Sequence, residues 1–441
     1  MTNVCPQCFG DRGLKKRIED IRPNFPNGRC NFHPRYKGIP IKEVAAIVDE
    51  VFRQHYGFGD YYSVPRQDSD RTDHAQAGSE LHEIIYDLTE ATDDDIAEAL
   101  VQQLIADDDY WPPDGGEPFY EVDQNYERYE MFHNHHSDLW DNFCKSIVHE
   151  QRFFNVDAKA AIAEIFDGIQ FQRDKQTQSP VYKIEPGEPN AVFYRARVAN
   201  DTSSQEKISN APEKELGPPP ERLRRAGRMN PAGISCFYGA YEFDTCIAEL
   251  RPAVGSIVVG AQFELTRPIY VLDTTRFEAP MKPMSLFSKH YMQRVEQWTF
   301  MQRFRQEIAK PISPNDEHLD YIPTQAVAEY FAFHHNFKRS GKDARIEAII
   351  FQSAQFQGGR NIVLLGDAAQ VRMPNIKNKK AQKSASSVSM FQPFKSMFEH
   401  QRQPTNPGVR YRDGSITKHE VRSARYESEE VVDIRYDDLD F

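Results

Sequence analysis

Apolar residues recur at three- and four-residue intervals through the first 178 residues, then give way to short β-branched and aromatic runs. Over 41–56, Ile41, Val44, Val48, Val51 and Phe52 share one face with charges opposite, which predicts an amphipathic helix. A second helix is predicted over 79–87, where Ser79 can cap and Leu81, Ile84, Ile85 and Leu88 pack. A third covers 93–105, with its opening aspartates at the positive end of the dipole. The stretch 107–124 carries Trp111-Pro112-Pro113 and Gly115-Gly116 and reads as a loop, followed by helices over 126–150 and 157–166.

After the boundary marked by Pro180, Pro186 and Pro189, the period shortens. Strands are predicted over 191–198, 235–238, 255–265, 268–274, 346–352 and 360–365, with helices over 244–250, 285–308 and 321–333 between them. Strands with a few interposed helices give an α+β class with a mixed or antiparallel sheet. The segment 200–220 is polar and proline-rich and reads as an inserted loop. The expected organisation is a mainly helical module over 1–178, a strand-rich domain over 179–374 and a polar tail over 375–441.

Charge changes this picture in two places. The chain of 441 residues carries a net charge of −12, which argues against general nucleic-acid affinity. Between Glu80 and Asp123 about fifteen carboxylates occur without a lysine or arginine. The tail reverses sign within itself: 375–425 is basic and 426–441 acidic. Its composition supports no core, so disorder is expected, with the basic part the one candidate nucleic-acid contact. The first residues show no signal-peptide pattern and no run is long and apolar enough to span a membrane, so a soluble cytoplasmic protein is expected. Six cysteines in such a chain do not suggest a disulfide framework.

Four of the ligand-type residues instead form two pairs, Cys5-x2-Cys8 and Cys30-x2-His33. Each pair presents two donors to one side of an ion, and two pairs complete the tetrahedron of a structural zinc site with no open position. Arg128 and His133 satisfy an R-x4-H spacing used by helical RNases, but the pattern is short and common. His133, His135 and His136 fit a solvated helix face better than a metal site.

The densest chemistry lies in 227–249. A Gly227-Arg228-Met229-Asn230-Pro231 turn precedes a short aromatic run with Tyr238, and Glu249 follows. Together with Phe193-Tyr194-Arg195-Ala196-Arg197, Tyr321-x3-Gln325 and Phe351-Gln352-Ser353, in this order, these motifs resemble the RES domain, named for its Arg, Glu and Ser residues. The N-terminal Cys/His region resembles a zinc-containing module found ahead of RES domains and catalogued with HEPN-type domains. RES proteins are similar in fold to ADP-ribosyltransferases and include bacterial toxins that consume NAD+. The resemblance implies site residues Arg195, Arg228, Tyr238, Glu249 and Ser353, with Arg197 in reserve. Met229 stands where the family pattern carries a tryptophan, which implies a looser pocket wall.

For such an enzyme the resemblance implies cleavage of the nicotinamide–ribose bond. The leaving group departs as a neutral pyridine, so one carboxylate suffices where glycoside hydrolysis uses two. Glu249 is then the catalytic carboxylate, and Arg195 and Arg228 grip the pyrophosphate. Tyr238 stacks on nicotinamide or is a core aromatic, and Ser353 bonds a ribose hydroxyl or the carboxamide. The implied function is an NAD+ glycohydrolase or phosphorylase acting as a toxin or defence effector. The alternatives are ADP-ribosyl transfer to a protein, or an inactive binding module. Implied partners are NAD+, an antitoxin or other regulatory protein, and a second copy of the chain.

Overall fold

The structure, a computed structural model, describes residues 2–65, 72–108, 118–129, 134–313, 315–374 and 406–424. Contacts divide it into two compact units, 1–135 with 282–297, and 136–281 with 298–441.

The first unit is built on helices Ile41–His55, Leu81–Thr89 and Asp94–Asp107. The predicted apolar stripe is the buried one: Ile41, Val44, Val48, Val51 and Phe52 all lie in its core. Asp93 caps the third helix by accepting from the Asp95 N–H at 3.1 Å. Two corrections apply here. A further helix, Arg12–Ile21, lies between the two Cys/His pairs, and burial of Leu14 and Ile18 explains it. The predicted helix over 126–150 begins only at His135 (His135–Lys145), because Asn125–Arg128 is a strand paired with Tyr56–Phe58 and Ser79–Glu80. Buried Tyr126, bonded through its hydroxyl to the Phe119 carbonyl at 2.6 Å, anchors that strand.

The second unit is organised by one mixed sheet. Its strands are β1 (Val181–Ile184), β2 (Val192–Val198), β3 (Phe237–Ala240), β4 (Ile257–Leu265), β5 (Ile269–Asp273), β6 (Ile346–Gln352), β7 (Arg360–Leu364), β8 (Val409–Tyr411) and β9 (Thr417–Glu420). The order is β8-β4-β2-β3-β7-β6-β5-β1, with β9 also on β4. Only β5 and β6 run parallel. Period-2 alternation sorts side chains between two cores: Ile349, Phe351 and Val363 enter one, and Ala348, Ile350, Ile362 and Leu364 the other. The fold is α+β, as its sequence pattern predicts.

The first core is completed by helices His135–Lys145, Val156–Phe166, Ile322–Phe333 and the later turns of Tyr291–Ala309, through Trp140, Phe166, Phe304 and Phe331. The two helices before residue 178 thus pack with the sheet, and the contact boundary falls at 135/136. The segment 200–220 is not a plain loop. It forms helices Thr202–Asn210 and Pro212–Glu215, and buried Ile208, Pro212 and the capping Leu216 recur at four-residue spacing. Ile208 and Leu216 cover the second core. The polar tail is also corrected in part: β8 and β9 pair antiparallel with β4, and Val409 is fully buried. Residues 375–405 and 425–441 lie outside the described residues. Among the described residues no helix is long and apolar enough to cross a membrane.

Candidate functional site

The sheet is interrupted where the site forms. β2 and β3 are joined by one residue pair, Tyr194 with Ala240, whereas β2 and β4 pair along seven. Beside that short seam lies a cleft of about 560 Å³, within the range of small-ligand sites. Arg195 and Arg197 enter it from β2, Tyr238 from β3 and Asn361 from β7. Arg228 arrives on its turn, and Glu249 on the last turn of helix Phe243–Leu250. That helix ends at Arg251, which sits at φ 46° in the left-handed region and also lines the cleft.

Glu249 is the centre of a small network. Ser353 Oγ and Asn361 Nδ2 both donate to its Oε1, each at 2.7 Å. Ser353 follows β6, and its Oγ accepts from the backbone N–H groups of Gln355 and Phe356, both at 3.1 Å. With those lone pairs engaged, the hydroxyl proton is directed to Glu249. Ser353 therefore orients the carboxylate and is not among the residues that line the cleft, which differs from the ligand-facing role its motif implies.

The arginine turn is fixed from three sides. Gly227 and Asn230 exchange backbone bonds at 2.9 and 3.3 Å. Tyr238 Oη accepts from Met229 N–H at 2.9 Å and donates to Asn230 Oδ1 at 2.8 Å. A Cβ on Gly227 would come within 2.9 Å of that hydroxyl, so the close approach requires glycine. From helix Ile322–Phe333, Thr324 Oγ1 donates to the Arg228 carbonyl at 2.5 Å and Gln325 Nε2 to the Gly227 carbonyl at 2.9 Å. Arg228 lies 5.2 Å over the Tyr321 ring and donates through Nη2 to the Lys310 carbonyl at 2.8 Å. Tyr238 is thus both a wall of the cleft and an internal fastener of the turn. Burial pushes its phenol well above the usual range.

Met229 departs from the expected looser wall. Its side chain is 1% exposed and belongs to the core, so it does not line the cleft. The neighbouring Gly227 and Arg228 form that edge instead.

Among the described residues five buried guanidinium nitrogens have no hydrogen-bond partner, and of these Arg195 Nη1 and Arg228 Nη1 belong to arginines that line the cleft. Arg195 lies 4.6 Å over the Phe237 ring. Burial, followed by the Arg197 charge, pushes it down to about 10. A buried donor without a partner is costly. Two such donors in one cleft are suited to an anionic ligand with spaced oxygens.

Asn361 and Arg251 are the site residues that sequence motifs did not supply. Asn361 is a lone amide in the strand Arg360-Asn361-Ile362-Val363-Leu364, and a polar residue directly before an apolar run was the available signal. Tyr321 and Gln325, which could merely have seated their helix, hold the arginine turn.

Cys5, Cys8, Cys30 and His33 form the metal-competent cluster among the described residues. Sulfur–sulfur separations are 3.9 Å for Cys5–Cys8 and 3.4 Å for Cys8–Cys30. His33 Nδ1 lies 3.8, 3.3 and 4.0 Å from Cys5, Cys8 and Cys30 sulfurs. A tetrahedral zinc with ordinary bond lengths needs edges of about 3.8 Å between sulfurs and about 3.6 Å from sulfur to nitrogen, so the donors fit. Burial raises the Cys5 and Cys8 thiols. Of the R-x4-H pair, Arg128 ends a strand and His133 lies outside the described residues. His136 is buried beside Phe300.

No curated protein and no solved structure matches the chain. Residues 193–383 match the family model of the RES domain, so the segment that supplies Arg195, Arg228, Glu249 and Ser353 is similar to that family.

Proposed function

We propose that the second unit cleaves NAD+ at the nicotinamide–ribose bond, by hydrolysis or phosphorolysis, and that NAD+ depletion makes the protein a bacterial toxin or defence effector. The observation that carries this reading is one cleft containing an oriented carboxylate, Glu249, and two unpartnered guanidinium nitrogens, on Arg195 and Arg228. The arginines supply forked donors for a pyrophosphate. Glu249 stabilises the ribosyl cation that develops as neutral nicotinamide departs. Ser353 and Asn361 hold Oε1, which keeps the carboxylate aimed before substrate arrives. No general acid is required for the leaving group.

In the first unit we propose a structural zinc held by Cys5, Cys8, Cys30 and His33. It would close the N-terminal fold and supply no catalytic chemistry, since four protein ligands complete its coordination.

Purified full-length protein incubated with NAD+, with and without phosphate, tests the central reading. Free nicotinamide with ADP-ribose supports hydrolysis, and nicotinamide with a phosphorylated sugar product supports phosphorolysis. Nicotinamide release with label on protein would redirect the reading to ADP-ribosyl transfer. Absence of nicotinamide under every condition would sink it.

A further inference from the structure

The helix carrying Glu249 rests on a small apolar face made by Ala196, Ala240 and Val258, with Cys246 as its own buried contact. That face continues past β4. Register places His419 of β9 opposite Val258 and Thr417 opposite Gly260, and opposed residues of an antiparallel pair project to one face. The His419 ring lies 4.5 Å from the ring of Phe243, the first residue of the helix. Tyr194 meets the same ring at 5.5 Å, edge to face. Gly260 leaves the space beneath it open, since an added Cβ there would strike the Phe243 ring.

Val421 adds a second contact. It packs against the same cluster as Phe243, Ile247 and Leu250. Its backbone is tied in both directions: Gly255 N–H donates to the Val421 carbonyl at 2.7 Å, and Val421 N–H donates to the Ser256 carbonyl at 2.9 Å. These C-terminal residues lie beyond 383, where the family match ends. The helix is therefore seated partly by chain that the matched domain does not contain.

We propose that β9 and the residue after it, through His419 and Val421, form a positioning element that fixes the Phe243–Leu250 helix and thereby the placement of the Glu249 carboxylate. The functional half of this inference rests on Glu249 being the reacting carboxylate; the mechanical half does not. Arg195 and Arg228 are held by other elements, so loosening the helix should impair turnover and leave substrate binding nearly intact.

The test uses the full-length chain with His419→Ala and His419→Phe, and a melting curve to confirm that each folds. Hydrogen exchange without ligand should become faster in 243–250 of His419→Ala and stay unchanged in β7, with His419→Phe close to the parent. For NAD+, His419→Ala should lower kcat roughly tenfold or more with KM within about twofold, because a small misplacement of a reacting group is costly. His419→Phe should restore kcat. Unchanged exchange in 243–250, or faster exchange with unchanged kcat, overturns the proposal. If the parent protein releases no nicotinamide, the NAD+ reading falls separately, and the exchange comparison still decides whether β9 seats the helix.

Discussion

Asn361 Nδ2 donates to Oε1 of Glu249 at 2.7 Å, from a strand whose next three residues are apolar. Ser353 bonds the same oxygen, and neither donor reaches Oε2. One oxygen of the carboxylate is thus fixed by the protein, while the other is left to the cleft. Asn361 is 7% exposed, so a residue there that cannot donate leaves the carboxylate less restrained without opening the surface. Asn361→Ala should lower kcat for nicotinamide release roughly 10- to 100-fold and change KM by less than about threefold. Steady-state kinetics check this; a rise in KM with unchanged kcat would make Asn361 a binding residue.

Buried Arg195 Nη1 has no hydrogen-bond partner among the described residues, and substitution distinguishes gripping a ligand from supporting the fold. Removing a paired, structural arginine destabilises a protein, whereas removing an unpaired buried charge relieves a cost. Arg195→Met should leave the melting temperature equal or higher and raise KM for NAD+ roughly tenfold or more, the worth of a charge-assisted hydrogen bond. A lower melting temperature with unchanged KM would mark Arg195 as structural.

The same residue predicts a pH dependence. Burial and Arg197 push Arg195 down to about 10, and only its protonated form attracts a pyrophosphate. KM should therefore be flat below that value and rise as pH climbs through it. In Arg195→Lys the same surroundings act on a group whose ordinary value is already about 10.4, so the rise should move to lower pH. KM profiles of the two proteins check the direction; coincident profiles would contradict it.

Much of the second unit was legible because a buried sheet writes its period into the chain. The strand Ile346–Gln352 has its predicted bounds, β2 and β4 start one and two residues later than predicted, and β5 is one residue shorter at each end. What escaped is where local polarity hides a few buried contacts. In 200–220 three buried positions, Ile208, Pro212 and Leu216, anchor helices amid exposed residues. β8 and β9 are short and polar, and their pairing with distant β4 leaves no local trace. At the site, motif residues were visible, but Asn361 was not, since its partner stands 112 positions away. The Ser353 role was also hidden, because it depends on two backbone donors that engage its lone pairs.

Tyr321 predicts a contrast between two substitutions. Its ring lies under Arg228, and among the described residues its hydroxyl bonds surface-exposed Glu317 alone, at 3.3 Å. Tyr321→Phe should behave nearly as the parent, whereas Tyr321→Ala should raise KM roughly threefold to tenfold, the range of a cation–π contact. Equal effects of both would assign the role to the hydroxyl.

For the N-terminal cluster, purified protein should contain about one zinc per chain, and Cys8→Ser should lose it. The same variant should expose 1–135 to proteolysis. Full protection of that region without metal would contradict a zinc-closed fold.

The most direct test of the central claim is Glu249→Gln, measured for NAD+ binding by calorimetry and for turnover by nicotinamide release. Gln keeps the size of the side chain and removes its charge. The site predicts that turnover falls by roughly three orders of magnitude while binding changes by less than about threefold, since the carboxylate acts on a charge that exists only in the transition state. Retained turnover, or equal loss of binding and turnover, would contradict Glu249 as the residue that stabilises the ribosyl cation.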